Sequence, residues 1–335
     1  MIKSIRLIFA WCLIFVSINS FAQQKRLDAS SVISYILDHQ KENGAFGPDN
    51  KEYTDLAWNY PAIGTLKLLG AKVPREKEAF ENGNKSWMEI IARKNGPWYW
   101  SFFQKAHLYN LFHISNINFE EGIKRGQYWE IKFKSRKNYL ELPEYKEGLF
   151  FDIPSLWHMI GAISLLDGKV TNKFYIEKYL RDRQAENGAF VDDIKDKPTP
   201  TDSETNLIVT SNAVLTLKSL ESDVFNAQDC VKWLQSCQAE DGGFKYSPES
   251  SDVANQSDVW YTWAALKALK ALGSEPKNVK KCIEWLNSLQ NYDGGFGDRP
   301  GWNSRIYSTF YAVSALSDLT GDAVSGISLK KKKNT

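Results

Sequence analysis

Trp285-Leu286-Asn287-Ser288-Leu289-Gln290-Asn291-Tyr292-Asp293-Gly294-Gly295-Phe296 is the stretch whose reading decides the fold. Reduced to spacing, it is an aromatic, an aliphatic, three residues, a Gln, three residues, a Gly, one residue and an aromatic. The spacing returns at Trp233-Leu234 with Gln238, Gly242 and Phe244, and at Tyr179-Leu180 with Gln184, Gly188 and Phe190. Nearest the N-terminus it is Tyr35-Ile36 with Gln40, Gly44 and Phe46. Two looser copies lie between: Trp87-Met88 with Ala92, Gly96 and Trp98, and Tyr139-Leu140 with Glu144, Gly148 and Phe150. A recurrence every ~50 residues marks a repeat architecture, in which each unit buries its apolar face against the next.

Each copy reads as a helical hairpin. Val32, Ile33, Ile36 and Leu37 recur at helical spacing, and Glu42-Asn43-Gly44 ends the helix with a residue suited to the left-handed conformation. A second helix then starts at a capping residue, as at Thr54-Asp55 and Ser257-Asp258. These second helices have almost no polar face, as in Trp260-Tyr261-Thr262-Trp263-Ala264-Ala265-Leu266, so they are buried all round. The first helices carry charges, as in Tyr175-Ile176-Glu177-Lys178-Tyr179-Leu180-Arg181. The expected arrangement is concentric, with inner helices parallel to one another and all their N-termini on one rim. Asn116 to Lys137 is the least regular stretch and is read as the elaborated outer helix of the third hairpin.

Composition sets bounds on function. The formal net charge of +2 is too small to argue for a nucleic-acid partner, and much of the excess lies in the run Lys330 to Lys333. Lys3 and Arg6 precede the apolar run Leu7 to Val16, followed by Ser20-Phe21-Ala22. That is the layout of a cleavable secretory signal, with cleavage expected after Ala22. The run is short for a bilayer span, so no stable membrane insertion is expected after cleavage; a retained anchor is the alternative. The expected division is a signal peptide over 1–22, the repeats over 23–325 and a basic disordered tail over 326–335, in a secreted or periplasmic protein. Cys230 and Cys282 occupy equivalent positions in neighbouring repeats, which admits a disulfide between them; with Cys237 they otherwise read as small buried apolar side chains.

The repeat is similar to that of squalene–hopene cyclases and of protein prenyltransferase β subunits. The likeness is strongest in Ser257-Asp258-Val259-Trp260-Tyr261-Thr262-Trp263 and in Gly294-Gly295-Phe296-Gly297-Asp298-Arg299-Pro300-Gly301. It implies an all-α (α/α)6 toroid of six helical hairpins around an aromatic-lined cavity. It also implies a zinc site in the prenyltransferases, of Asp, then Cys two residues on, then His in the following repeat. Asp258 matches the Asp, but Trp260 stands for the Cys and Ser308 for the His, so no metal or other cofactor is expected here. The cyclases use an Asp-x-Asp-Asp acid motif; the comparable Thr201-Asp202-Ser203-Glu204-Thr205-Asn206 is acidic without matching it. Asp192-Asp193-Ile194-Lys195-Asp196 fits a short magnesium–diphosphate pattern, but so short a match in a loop is read first as a solvated acidic turn.

Candidate chemistry gathers at the inner-helix starts. Asp55, Asp152 and Asp258 align at one repeat position, with Asn206 and Arg305 in two other copies. These acids either cap helices or form a ring of catalytic carboxylates at a cavity mouth. His158, one turn after Asp152, is the remaining catalytic candidate or a core histidine; His39 is expected to be exposed. Tyr60, Trp157, Trp260, Tyr261, Tyr307 and Phe310 are the candidate lining, and Arg299 and Arg305 the candidate holders of an anionic group. The function expected first is a zinc-free pocket that binds or transforms an isoprenoid or other apolar small molecule. The alternatives are a carbohydrate-active (αα)6 enzyme, a lyase or hydrolase of an acidic polysaccharide, and a non-catalytic scaffold.

Overall fold

A computed structural model describes residues 27–49, 51–83, 98–112, 130–134, 137–141, 152–166, 169–170, 173–192, 205–249 and 255–321. In chain order the elements are α1 (Ala29–Asp38), α2 (Leu56–Leu68), α3 (Glu76–Gly83), α4 (Trp98–Leu111), β1 (Glu130–Lys134), β2 (Lys137–Glu141) and α5 (Ile153–Leu165). They continue with β3 (Lys169–Val170), α6 (Lys173–Arg181), α7 (Leu207–Ser219), α8 (Ala227–Ser236), α9 (Val259–Ala271), α10 (Val279–Ser288) and α11 (Ile306–Thr320). Helices α2, α4, α5, α7, α9 and α11 each pack on the next, and α11 packs back on α2. The inner ring is therefore closed. Helices α1, α3, α6, α8 and α10 lie outside it, burying one stripe each, such as Cys230, Trp233 and Leu234 of α8. The toroid is as the repeat predicts.

The repeat motif is the joint between neighbouring hairpins. In all four strong copies the Gln and the aromatic pair as a β-bridge: Gln40 with Phe46, Gln184 with Phe190, Gln238 with Phe244 and Gln290 with Phe296. Each Gln also donates through Nε2 to the carbonyl of the motif glycine and to a backbone carbonyl of the next hairpin. Gln40 reaches Pro74, Gln184 reaches Phe225 and Gln238 reaches Asn278, at 2.7, 2.9 and 3.0 Å. Gln290 donates to the Asp28 carbonyl at 3.2 Å and accepts from the Asp28 amide at 3.3 Å, joining the α10 hairpin to the α1 hairpin. The aromatic is anchored in turn, since the Phe46, Phe190, Phe244 and Phe296 amides donate to Asn59, Thr210, Thr262 and Thr309 of the inner helices, each at 3.0 Å.

The motif glycine has two reasons to lack a side chain. Gly294 sits at φ 89°, and a Cβ there would lie 2.1 Å from the Ser31 carbonyl oxygen of α1. Gly188 and Gly242 press in the same way on the backbone at Cys230 and Cys282. Those two cysteines and Cys237 are free and buried, so the buried reading holds and the disulfide is not formed. Burial pushes the Cys230 and Cys282 thiols up to about 12.

The third outer element differs from expectation. Over the described part of 116–137, Glu130–Lys134 is a strand; it pairs antiparallel with Lys137–Glu141, and β3 adds in parallel at Tyr139 and Leu140. The reason is periodicity: Ile131 and Phe133 alternate with Lys132 and Lys134, a period of two that no helix accommodates. The looser copy at Tyr139-Leu140 also lacks the Gln that makes the bridge, and here it lies on a strand. Residues 116–129, the looser copy at 87–96, the expected signal over 1–22 and the expected tail over 326–335 lie outside the described residues. No helix among the described residues is long and apolar enough to cross a membrane.

Candidate functional site

The inner-helix starts are stitched together at one rim. Asp55, Asp152, Asn206 and Asp258 are N-caps, accepting from the amides of Ala57, Ser155, Val209 and Trp260 at 2.7, 2.7, 3.0 and 3.0 Å. Arg305 holds the equivalent place on α11 without a side-chain cap bond. The residue two beyond each later motif aromatic then reaches back to the preceding inner helix. The Ile153 amide donates to the Asp192 carboxylate at 2.6 Å, Leu207 to the Tyr246 carbonyl at 2.8 Å and Val259 to the Asp298 carbonyl at 3.0 Å. Asp192 thus serves the start of α5; Asp193 and Asp196 lie outside the described residues.

Between the last two repeats this stitching assembles a charged cluster. Arg299 donates through Nε to Asp258 Oδ2 at 3.4 Å and through Nη1 to Gln256 Oε1 at 3.3 Å. Arg305 Nη1 donates to Asp298 Oδ2 at 3.1 Å, and the Ser308 hydroxyl donates to Asp298 Oδ1. Burial raises the Asp258 carboxyl above its ordinary range, and the charge of Asp298 adds to the effect against the opposing pull of its own cap bond and Arg299. Around the cluster stand Trp260, 43% exposed, Trp302, 50% exposed, and Tyr261, whose ring lies 5.8 Å from that of Trp260.

A second cluster lies inside the ring. Tyr60 of α2, Phe103 and His107 of α4, Trp157 and His158 of α5, and Tyr307 and Phe310 of α11 meet there. Tyr60 lies 5.7 Å from His107, 5.9 Å from Tyr307 and 5.7 Å from Phe310; Phe103 lies 4.5 Å from His107, 5.6 Å from Trp157 and 5.2 Å from His158. Gln104 donates to the Tyr307 hydroxyl, and the Tyr60 and Tyr311 hydroxyls share a hydrogen bond. Burial drives both imidazoles down to about 4, so the cluster carries no imidazolium at neutral pH. Of the sequence-predicted lining, Tyr60, Trp157, Tyr307 and Phe310 come together here, with His158 of the predicted catalytic residues. Trp260, Tyr261, Arg299, Arg305 and Asp258 belong to the rim cluster. Asp55 and Asp152 cap other inner helices, and their charges act on Tyr307 and His158 of the central cluster.

Residues 3–98 and 136–334 match the prenyltransferase alpha-alpha toroid domain. The chain belongs to that family. Protein geranylgeranyltransferase-I of Candida albicans, solved with GGPP, superposes with a TM-score of 0.60 at 15% identity, covering 89% of this chain and 92% of that one. The type II terpene cyclase MstE of Scytonema, solved with geranylgeranyl dihydroxybenzoate, gives a TM-score of 0.44 at 12% identity over 88% and 96%. A probable squalene–hopene cyclase of Sinorhizobium fredii is 32% identical over 71 residues, which is 21% of this chain and 11% of that protein's own length.

Within this prenyltransferase-type toroid the residues do not fit the zinc implied by the resemblance. Asp258 faces the Arg299 guanidinium, Trp260 offers no donor to a metal, and the Ser308 hydroxyl is committed to Asp298. Among the described residues no three His, Cys, Asp or Glu are grouped to hold a metal ion. His39 corrects another expectation: it is 5% exposed, with Nδ1 2.7 Å from the Tyr35 carbonyl oxygen and Nε2 2.5 Å from Asp49. Sequence reasoning missed Phe103, Gln104, Tyr311, Asp298 and Trp302. One signal was available. Gly64 and Gly161 interrupt inner helices where a Cβ would meet the Phe310 ring at 2.7 Å and the Phe103 ring at 2.9 Å, so a mid-helix glycine marked where a central aromatic needs room.

Proposed function

We propose that this chain is an exported pocket protein that binds or transforms an isoprenoid or other apolar ligand at the centre of the toroid, without zinc. One observation carries the reading. His107, Tyr307 and Phe310 are enclosed by rings from facing helices and still keep accessible surface, as side chains lining a concavity do. The lining they belong to is aromatic and uncharged at neutral pH, which suits an isoprenoid with little to offer in hydrogen bonds. Ring faces there also suit a developing cation. The GGPP complex of the yeast geranylgeranyltransferase supports the same use of the fold.

Native mass spectrometry of the protein purified from its own host tests this. The expected result is an adduct with the mass of an isoprenoid or comparable lipid, lost in Phe310→Ala while circular dichroism stays unchanged. Protein that carries no such adduct and takes up no added farnesol would leave only the scaffold.

A further inference from the structure

We propose that the rim between the last two repeats is a sugar-binding shelf, on which a pyranose stacks against Trp260 or Trp302 and exchanges hydrogen bonds with the Arg299–Asp258 pair. This rests on the proposed function and deepens it: the ligand becomes an amphiphile, with its apolar chain in the barrel and a saccharide head group on the rim.

Two indoles are left open where polar partners are dense. Trp260 and Trp302 expose 43% and 50% of their surface beside the charged cluster. Trp260 is tied to Asp258 through its own amide at 3.0 Å, and Trp302 to Arg299, whose guanidinium lies 5.2 Å from the indole centroid. The Trp260 ring continues into Tyr261, 5.8 Å away, and then Tyr246, which lies 5.6 Å from Tyr261.

The chemistry of the shelf selects among ligands. Asp258 and Asp298 face Arg299 and Arg305, so the cluster has no excess positive charge to recruit a phosphate. An acyl chain would desolvate these charges for no hydrogen bond in return. A pyranose has an apolar C–H face and a rim of hydroxyls that both donate and accept, which matches an indole beside a carboxylate and a guanidinium. The Arg299 bonds at 3.3 and 3.4 Å are long, so a ligand hydroxyl can take them over at small cost. Helix α11 joins the two sites, with Arg305 and Ser308 on the rim and Tyr307 and Phe310 in the centre.

Calorimetric titration of the full chain with farnesol, with farnesyl β-glucoside and with cellotriose tests the shelf. The wild type is expected to prefer the glucoside to farnesol by about tenfold, the equivalent of one good stacking contact with its hydrogen bonds. Trp260→Ala and Trp302→Ala should erase that preference and leave farnesol binding as it was, whereas Trp302→Phe should retain most of it. Equal affinity for farnesol and its glucoside in the wild type, or a preference that survives both alanine variants, overturns the shelf. Tryptophan-dependent binding of cellotriose with no binding of farnesol would keep the shelf and remove the barrel reading. Binding of none of the three overturns both.

Discussion

His107 and His158 illustrate how far a single residue can be read. Their types and positions on the inner helices are visible in the sequence, but that they share the Phe103 ring is not, because α4 and α5 meet only in the closed ring. The consequence is a pH dependence. Burial holds both imidazoles down to about 4, whereas the unfolded chain takes up their protons near 6.5. Between those values the unfolded state binds more protons, so stability is full above pH 6.5 and falls as pH drops toward 4. Each histidine contributes about 2 kcal/mol to the loss after allowance for its partial exposure. Urea midpoints at pH 7.5, 5.5 and 4.5 should therefore converge for wild type and His107→Phe as acid is added, with the variant less sensitive. Parallel pH profiles would refute it. Asp258 shows the opposite limit: its role as N-cap follows from Ser257-Asp258 before an apolar run, while its encounter with Arg299 depends on a turn 41 residues away.

At the scale of the element, the hairpins were legible because each carries its own stop signal and cap. Gly294 and Gly273 have the same left-handed backbone at φ 89° and 70°, yet their surroundings differ completely. A Cβ on Gly273 meets nothing within 4 Å, and one on Gly294 runs into the α1 backbone. Gly273→Ala should cost about 1 kcal/mol from backbone strain alone, and Gly294→Ala about 3 kcal/mol or more because the joint must open. Equal losses in thermal or urea unfolding would mean that the joint is soft. The small sheet shows where element reading failed. The repeat imposed a helix on residues 130–134, but Ile131 and Phe133 alternate with lysines at a period of two. Local periodicity overrode the repeat here, beside the copy at Tyr139-Leu140 that lacks the Gln of the motif.

At the scale of the molecule, closure is made by Gln290 doing to Asp28 what Gln40, Gln184 and Gln238 do to the hairpins that follow them. Gln290→Ala should cost about 2 kcal/mol, two to three net hydrogen bonds, and hydrogen exchange should quicken in α1 as well as α10. Gln238→Ala removes the same kind of bonds inside the chain and should quicken exchange in α8 and α10 while leaving α1 protected. Unchanged exchange in α1 upon Gln290→Ala would show that packing of α11 on α2 closes the ring unaided. The sequence by itself determined the repeat, the hairpin, the caps and the family, because each is written in residues within about one repeat of one another. Only the tertiary structure decided which side chains share the barrel centre, that Arg299 lies against Asp258, and that two indoles stand open beside them. Those pairings join residues from different repeats, and the distance between them is set by closure of the ring. The Trp285–Phe296 stretch encodes how one hairpin holds the next, and the chemistry lies in what that hold brings together.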